Sequence, residues 1–482
     1  MAQMRMRAAG LTRREFVKAG LAGALAVSIG RRSIAAPAGQ RPNVLIITTD
    51  QQRVDAMSAS GGRWAKTPAM DSIAANGVSF MKSYCPYPLC SPSRSALHTS
   101  RTPHELLVDH NSMSIEKSIP ISGQVFREAG YDTGYSGKWH MPDPYPSDGI
   151  PGYEVLNKTA RSRRLAHDVD EATMGAAIEF LRRKRDKPFL LVASFINPHD
   201  ICLLAGVAGP LTPDVWKRYE PHSGDQLPPL PPNHDLTADA ESPASQHLHD
   251  DWDPKLWQRY RYAYFRMMED VDRQVGGILD ALRQSGQENN TLVIFTSDHG
   301  EGLGCHRRTG KMAFYDDEAA VPLVVSWKGV IPSGRIDKDH LVTALDVLPT
   351  ICDYAGVKGP AVVRGQSLRT VIDKPQSGGH DFIVSEMAPG QAGAKAGRSF
   401  MVRTKKYKYM TFAGAAKAEM LFDMDADPGE MKNLAHQADL AAELDRHRKL
   451  LSDWCNLTEV QKYPVQPNPV AKRSARKTTQ SK

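Results

Sequence analysis

Short, continuous apolar runs recur along the chain, and each is rich in β-branched or aliphatic residues. They cover residues 44–47, 189–192, 291–295 and 323–325. Runs of this length fit buried strands of a parallel sheet, in which both faces of each strand are covered. Polar residues follow the first three runs, so we expect polar side chains to gather at one edge of the sheet.

Helical patterns lie between these strands. Apolar side chains from Val271 to Leu282 recur at a spacing of 3.6 residues, and Gly286 is a favourable stop. Residues 171–182 predict another helix before the second strand. Strands that alternate with helices indicate an α/β domain with a mostly parallel central sheet flanked by helices.

The pattern changes in the middle and near the end of the chain. Residues 203–255 are rich in Pro, Asp and His and lack periodicity, which predicts a long surface insertion. Residues 400–402 and 407–410 predict short antiparallel strands, and residues 438–451 predict a helix. We therefore expect a smaller C-terminal α+β subdomain on an antiparallel sheet.

The first 35 residues have the pattern of an export signal. Arg13 and Arg14 precede a mild apolar run over residues 19–29, and small residues end the segment at Ser33-Ile34-Ala35. The paired arginines followed by Phe and Lys resemble a twin-arginine signal. The resemblance implies the twin-arginine export machinery as a partner, and a periplasmic or otherwise exported location in a bacterium.

The formal net charge of +7 is concentrated at the two ends of the chain. Residues 1–35 carry a net +6 and residues 471–482 carry +5, so the body between them is near −4. This distribution argues against a nucleic-acid partner. The sequence also predicts no stable membrane span in the mature chain.

Six cysteines occur without zinc-like CxxC pairs, and they are too few for a disulfide framework in 482 residues. The most informative cysteine begins Cys90-Ser91-Pro92-Ser93-Arg94. This segment resembles the hallmark Cys-x-Pro-Ser-Arg of the sulfatase family, in the alkaline-phosphatase superfamily. Pro92 suits the first turn of a helix, which would place residue 90 at a helix N-terminus, where backbone donors favour an anion.

The resemblance implies that Cys90 is oxidised to formylglycine by a formylglycine-generating enzyme, and that the hydrated aldehyde is the nucleophile. A geminal diol can expel sulfate by collapsing to the aldehyde, which splits one difficult reaction into two easier ones. One departure from the family is Ser100, where glycine is usual. We interpret it as a tolerated change in a turn.

Carboxylates end two of the predicted strands, at Asp50 and at Asp298, which His299 follows. By resemblance, Asp50, Asp298, His299 and the modified Cys90 coordinate one divalent cation. Gln51 stands where many relatives have a second Asp, and its carbonyl oxygen is a further candidate ligand. Hard oxygen ligands fit Ca²⁺, but the small number of carboxylates leaves Mg²⁺ and Mn²⁺ open.

Cationic and imidazole side chains complete the candidate catalytic set, and each lies in a segment that resembles the family. Arg94, Lys138 and Lys311 are candidates to clamp and polarise the sulfate oxygens. His140 is the candidate base for the diol proton, and His199, with Lys311, is the candidate acid for the leaving alcohol.

The resemblance covers most of residues 42–435 and implies a sulfuric ester hydrolase acting on a sulfate monoester of a small molecule or a saccharide. The implied organisation is a signal over 1–35, a catalytic sulfatase domain over 36–375, a smaller subdomain over 376–463 and a disordered basic tail over 464–482. The His-, Asp- and aromatic-rich loops 104–116, 141–165 and 201–255 are candidates for specificity.

Two other functions stay open at this point. One is a phosphonate or phosphate ester hydrolase, since relatives in the superfamily share the formylglycine and the metal. Lys138-Trp139-His140 favours the sulfatase, because the phosphonate branch tends to lack this lysine and histidine. The other is a non-catalytic glycan-binding homologue, which would hold if Cys90 stayed a thiol.

Overall fold

A computed structural model of the chain describes residues 41–142, 149–157, 165–205, 212–235, 248–376, 378–389, 391, 397–415 and 418–466. The predicted signal over residues 1–35 lies outside these residues, as does most of the predicted tail over 464–482. Both stay predictions, as do the domain boundaries.

Twelve strands in the described residues form two sheets. They are β1 Asn43–Asp50, β2 Gly77–Tyr84, β3 Asp132–Gly137, β4 Glu154–Val155, β5 Phe189–Pro198, β6 Thr291–Ser297, β7 Leu323–Ser326, β8 Arg335–Thr343, β9 Phe382–Met387, β10 Ser399–Thr404, β11 Tyr407–Phe412 and β12 Glu419–Asp423.

The α-helices of the described residues cover both faces of the larger sheet and one face of the smaller. They are α1 Pro68–Ala75, α2 Cys90–Thr99, α3 Ser122–Glu128, α4 Ala166–Arg182, α5 Thr212–Tyr219, α6 Pro254–Gln284, α7 Asp316–Ala319, α8 Val347–Ala355, α9 Arg369–Asp373 and α10 Ala441–Leu457. Each of these helices is either too short or too polar to cross a lipid bilayer.

The larger sheet has eight strands in the order β4-β3-β5-β1-β6-β7-β2-β8. All neighbours pair in parallel except β7, which is antiparallel to both β6 and β2. The prediction of a parallel strand over residues 323–325 was therefore wrong in direction. An antiparallel strand inside a sheet that is covered on both faces needs the same continuous apolar run.

Alternate residues of β1 serve two separate cores. Leu45 and Ile47 pack with α1, α4 and α6 on one face, whereas Val44 and Ile46 pack with α2, α3 and α8 on the other. All four side chains are fully buried. This two-residue alternation explains why a strand covered by helices on both sides reads as a continuous apolar run.

The smaller sheet is antiparallel in the order β12-β11-β10-β9. One face joins the large sheet through a core that includes Tyr84, Phe314 and Met410. The other face packs against α10 through Val402 and Leu444. The predicted fold class, a mostly parallel α/β sheet with a smaller antiparallel α+β subdomain, is thus confirmed.

The predicted insertion over residues 203–255 contains regular structure where it is described. Residues 212–219 form α5, with Val215 buried and Tyr219 packed in the same core. The expectation of an aperiodic loop was wrong here, because the apolar positions of so short a helix give little periodic signal. Residues 206–211 and 236–247 lie outside the described part of the chain.

A buried ion pair joins the segment after α2 to the small sheet. His104 Nδ1 lies 2.9 Å from both carboxylate oxygens of Glu386 in β9, and its ring contacts Trp454 of α10. Burial alone would lower the pKa of His104. The Glu386 carboxylate has the larger, opposite effect, so the pKa of His104 lies above its usual value. Burial also raises the pKa of Glu386, but His104 brings it below its usual value.

Replacement of His104 by Gln is expected to destabilise the protein by about 1–3 kcal/mol at pH 6, since it removes a charge-assisted hydrogen bond. Because the pKa of His104 is raised in the folded state, its stabilising effect is fully present below about pH 6.5. This stabilisation is lost as the pH rises through the pKa of His104 in the folded protein. The difference in thermal midpoint between wild type and variant should therefore shrink from pH 6 to pH 9. The exposed His436→Gln should show no such trend, and a constant difference for His104→Gln would contradict the prediction.

Candidate functional site

The register of the large sheet brings two carboxylates together at its carboxyl edge. Thr49 of β1 pairs with Ser297 of β6, so Asp50 and Asp298 end neighbouring strands side by side. Both side chains are buried, at 0% and 2% exposure. Asp298 Oδ1 accepts hydrogen bonds from the backbone N–H groups of Gln51 and His299 at 3.0 and 2.9 Å, which fixes the orientation of this carboxylate.

Cys90 is the first residue of α2 and lies over these carboxylates. Its Sγ is 3.7 Å from Asp50 Oδ1, 3.3 Å from His299 Nε2 and 3.1 Å from Lys311 Nζ. Pro92 lies in the first turn of the helix, as predicted. The start of the helix is held in place by Ser91, whose Oγ donates to the backbone oxygen of His140 at 2.5 Å.

Arg94 lies one turn along α2 and binds both carboxylates. Its Nη2 donates to Asp50 Oδ2 at 2.9 Å and its Nε donates to Asp298 Oδ2 at 2.8 Å. The third nitrogen, Nη1, donates to Ser194 Oγ at 2.7 Å. The guanidinium thus lies beneath the site and fixes the spacing of the two acids.

Two lysines approach Cys90 and the acids from different loops. Lys138, directly after β3, donates from Nζ to Asp50 Oδ2 at 2.6 Å. Lys311 donates from Nζ to Cys90 Sγ at 3.1 Å and to Gln51 Oε1 at 3.0 Å. Both lysines are at least 90% buried, so their charges act in a region with little water to screen them.

The structure places the His199 side chain near Asp50 and the His140 backbone at the start of α2. His199 follows β5, and its Nε2 is 3.9 Å from Asp50 Oδ1. His140 adopts a left-handed backbone conformation with φ of +69°, and its backbone oxygen contacts Ser91. Both are partly exposed, as groups that exchange protons with a substrate need to be.

The positive side chains dominate the electrostatics around Asp50 and Cys90. Burial raises the pKa of Asp50, but Lys138, His199 and Arg94 together bring it well below its usual value. Burial and Asp50 raise the pKa of the Cys90 thiol, yet the two lysines and His299 bring it well below the ordinary range. The site therefore stabilises negative charge at residue 90.

Asp298 differs from Asp50. Burial, followed by the charge of Asp50, raises the pKa of Asp298 to about 6 despite His299 and Arg94. The pKa of His299 is itself raised: burial lowers it, but Asp298 outweighs this. Two carboxylates in one buried site repel each other, and further positive charge at the site would favour the ionised form of both.

Comparison with known proteins identifies the family to which the chain belongs. A sequence profile described as Sulfatase matches residues 42–357, and one described as N-sulphoglucosamine sulphohydrolase, C-terminal, matches residues 304–454. The chain belongs to the sulfatase family. The Delta 4,5-hexuronate-2-O-sulfatase of Bacteroides thetaiotaomicron is 33% identical to this sulfatase over 446 residues, which cover 87% of this chain and 90% of the relative.

Solved structures agree with this assignment. A 2-O GAG sulfatase superposes with a TM-score of 0.75 at 28% sequence identity, covering 89% of this chain and 96% of that chain. The phosphonate monoester hydrolase of Agrobacterium radiobacter superposes with a TM-score of 0.70 at 25% identity, covering 87% and 96%. A protein named as a sulfatase and one named as a phosphonate monoester hydrolase therefore share this fold.

The sulfatase accommodates Ser100 where the family resemblance led us to expect glycine. Ser100 ends α2 in the left-handed conformation, with φ of +56°. Its Oγ donates to the backbone oxygen of Leu345 at 2.7 Å and accepts from Gly365 N at 3.1 Å. These two bonds offset the cost of about 1 kcal/mol that a non-glycine residue has in this conformation.

The sequence analysis did not identify Glu301, which contacts Gln51 and the loop of Lys311. Its side chain is fully buried. Oε2 accepts from Gln51 Nε2, and Oε1 accepts from Tyr260 OH at 2.9 Å and from Gly310 N at 2.6 Å. Glu301 thus orients the Gln51 amide and also holds the loop that carries Lys311. The only feature of the sequence that could have indicated Glu301 is its position directly after Asp298-His299-Gly300.

The donor atoms of Asp50, Cys90, Asp298 and His299 all lie within 4.8 Å of one another. Two ligands on opposite sides of a Ca²⁺ stand about 5 Å apart, so this spacing suits one divalent cation. Two carboxylates are hard ligands, whereas imidazole also suits Mn²⁺. The donor set therefore fits a divalent cation and leaves its identity open.

Proposed function

We propose that this sulfatase hydrolyses a sulfate monoester of a sulfated saccharide, with a nucleophile made from Cys90 by oxidation to formylglycine. The observation that carries the proposal is the place of Cys90, at the start of α2, between Lys311 Nζ at 3.1 Å and Asp50 Oδ1 at 3.7 Å. A hydrated aldehyde at this position would have cations around it and carboxylates below it. The names of the 33% identical relative and of the superposed GAG sulfatase support a saccharide substrate.

Asp50, Asp298, His299, residue 90 and the Gln51 carbonyl oxygen would hold a divalent cation, with Ca²⁺ as the first candidate and Mg²⁺ or Mn²⁺ as alternatives. When bound, such a cation lowers the pKa of the nucleophile and shields its repulsion from the sulfate. Arg94 keeps the two carboxylates in place through bonds of 2.9 and 2.8 Å, so the ligands are positioned before the cation arrives.

The side chains around residue 90 divide the chemistry between them. Lys138 and Lys311 bind the sulfate oxygens and stabilise the charge that develops as the ester bond breaks. His199, with Lys311, donates the proton that the leaving alcohol needs. An ionised hydroxyl of the diol would form a bond to the sulfur as the bond from sulfur to the leaving alcohol broke. His140 would then accept the proton of the second hydroxyl as the carbon–oxygen bond to the sulfate broke and the aldehyde formed again.

Two measurements test this proposal. Peptide mass spectrometry across residue 90 should show that sulfur has been replaced by oxygen in active protein. Steady-state kinetics should show a higher kcat/KM for an aryl sulfate than for the matching aryl phosphonate. Active protein in which residue 90 is entirely an unmodified thiol would refute the proposed nucleophile.

A phosphonate or phosphate ester hydrolase with the same nucleophile is the second candidate. The superposition on a phosphonate monoester hydrolase at 25% identity favours it. Against it, phosphate dianions need more compensating charge than sulfate monoanions, and the segment Lys138-Trp139-His140 favours the sulfatase. A kcat/KM that is higher for the aryl phosphonate would decide for this alternative.

Replacement of Glu301 by Gln is expected to lower both cation affinity and kcat by about 10–100-fold, since residues that orient ligands have effects of this size. The variant amide is a poorer acceptor for Gln51 Nε2 and Gly310 N, so the Gln51 carbonyl and the Lys311 loop lose their fixed orientation. Calorimetric titration of the metal-free protein with Ca²⁺ measures the affinity independently of turnover.

A matched double variant tests whether Glu301 acts through Gln51. Gln51→Glu with Glu301→Gln restores one amide–carboxylate hydrogen bond with the roles exchanged, so cation affinity should recover at least in part. If Glu301→Gln alone leaves the Ca²⁺ affinity unchanged, the proposed role of Glu301 is incorrect.

We further propose that residues 1–35 direct export by the twin-arginine route and that the enzyme acts in the periplasm. The Arg13-Arg14 pair and the following apolar run support this. Replacing both arginines by lysine should leave the protein in the cytoplasmic fraction. Unchanged export of that variant would contradict the proposed route.

A further inference from the structure

A basic cleft lies at the amino-terminal edge of the large sheet, away from the candidate site. It has a volume of about 430 Å³, and its walls come from α3, the starts of β3 and β4, and the segment between α4 and β5. The ten residues of β5 run from this segment to Pro198, beside His199. At about 3.3 Å per residue, this places the cleft and the catalytic residues on the order of 30 Å apart.

Basic side chains outnumber acidic ones in the cleft. Its charged lining residues are Arg127, Arg183, Lys184, Arg185, Lys187, Asp132 and Glu154. Arg183 and Glu154 neutralise each other through a bidentate ion pair of 2.7 and 3.0 Å. Neither Lys184 nor Lys187 forms an ion pair within the described part of the chain. The positive charge is local, because the body of the chain is near −4.

Arg185 is the most informative residue of the cleft. Its side chain is only 7% exposed, and its guanidinium carbon lies 4.2 Å from the ring centroid of Phe180 and 5.0 Å from that of Phe189. Nη2 donates to the backbone oxygen of Phe180, and Nε is 3.9 Å from Asp132 Oδ2. Nε and Nη1 have no hydrogen-bond acceptor among the described residues.

A largely buried guanidinium costs free energy unless nearby anions offset its charge, and Asp132 at 3.9 Å is the only acidic residue in an ion pair with it among the described residues. The C-terminal dipole of α4 explains why basic residues such as Arg182 and Arg183 are favoured at its end. It does not explain Arg185, which lies beyond the helix and is clamped between two aromatic rings. Its positive charge is instead held in the lining of the cleft, where an oxyanion would offset it.

We propose that this cleft is an exosite that binds a sulfate or carboxylate group of an anionic saccharide chain. The proposal rests on the proposed function, which supplies the class of ligand. Arg185 would hold a positive charge in the lining of the cleft that attracts the oxyanion, and Lys184 and Lys187 would contact it at the rim. A chain held here would raise the local concentration of its other sulfate esters around the enzyme.

Calorimetric binding of a sulfated glycosaminoglycan octasaccharide to the Cys90→Ala protein tests the exosite without any turnover. The pair Lys184→Gln and Lys187→Gln should weaken binding about tenfold, since two charge-assisted contacts are lost. The control pair Lys338→Gln and Lys358→Gln removes the same charge from exposed positions elsewhere and should change the Kd less than twofold.

The cleft variants should leave aryl sulfate kcat/KM and the thermal midpoint unchanged, so a failure of the sulfatase proposal is seen in turnover and a failure of the exosite in binding. Equal losses of affinity in the cleft pair and the control pair would overturn the exosite. So would equally tight, cleft-dependent binding of a single-stranded DNA of the same charge, which would indicate a nucleic-acid surface. Inorganic sulfate alone binding as tightly as the octasaccharide would also overturn it.

Discussion

Replacement of Cys90 by alanine is expected to lower kcat for aryl sulfate hydrolysis by about 10⁵-fold or more, as removal of a covalent nucleophile does in other hydrolases. Alanine has no sulfur to lose, so no aldehyde can form at position 90. The surrounding cations and carboxylates stay in place, since Arg94 binds Asp50 and Asp298 independently of residue 90. Binding of sulfate esters should therefore survive while turnover is lost.

Cys455→Ala is the matched control for this variant. Cys455 is partly buried in α10, where it packs against the small sheet on the face away from the large sheet. Its replacement should leave kcat within twofold of wild type. Rates comparable to wild type from the Cys90→Ala protein would place the nucleophile at another residue.

The edge of the sheet that carries the site could be predicted because polar residues interrupt apolar runs there. Asp50 and Asp298 follow strands that both look buried, and parallel strands present their carboxyl ends at one edge. The register, which pairs Thr49 with Ser297, could not be predicted. It depends on side-chain packing of the two cores, to which residues 44–47 of β1 contribute.

Strand β3 of the large sheet gave no apolar signal. β3 has the sequence Asp-Thr-Gly-Tyr-Ser-Gly, yet all but its first residue are buried. Gly134 leaves room for the ring of Phe180, since a Cβ there would lie 2.8 Å from it. Gly137 has φ of +97° and lies against the backbone of Ser194, where a Cβ would clash. Small residues at close contacts thus replace the apolar side chains that sequence patterns detect.

The residues behind the site were harder to predict than those facing it. Cys90, Arg94 and Lys311 stand in segments that resemble the family, and the structure brings them together. Glu301 is a single acidic residue with no periodic or compositional signal of its own. Its importance appears only from its partners Gln51 and Gly310, which come from distant parts of the sequence.

A second large effect is expected from Lys408→Met, this time on stability. Lys408 lies in β11 with a fully buried side chain, and its Nζ donates to Glu430 Oε1 at 2.7 Å and to the backbone oxygen of Phe314 at 3.0 Å. It also forms an ion pair with Asp316. Burial raises the pKa of Glu430 to about 8 even with Lys408 beside it. The variant removes the cation that contacts both Glu430 and Asp316 and leaves these buried acids without that partner, at a cost of about 3–5 kcal/mol.

Lys406→Met separates this effect from a general loss of charge. Lys406 is 52% exposed and pairs with Asp423 at 3.2 Å, so its replacement should lower stability in chemical denaturation far less than Lys408→Met. Adding Glu430→Gln to Lys408→Met removes one of the two unpaired carboxylates and should recover part of the lost stability. Because Phe314 and Asp316 directly follow the loop of Lys311, Lys408→Met should also lower the temperature at which activity is lost. Equal stability losses for Lys406→Met and Lys408→Met would show that burial of the ion pair is not what matters.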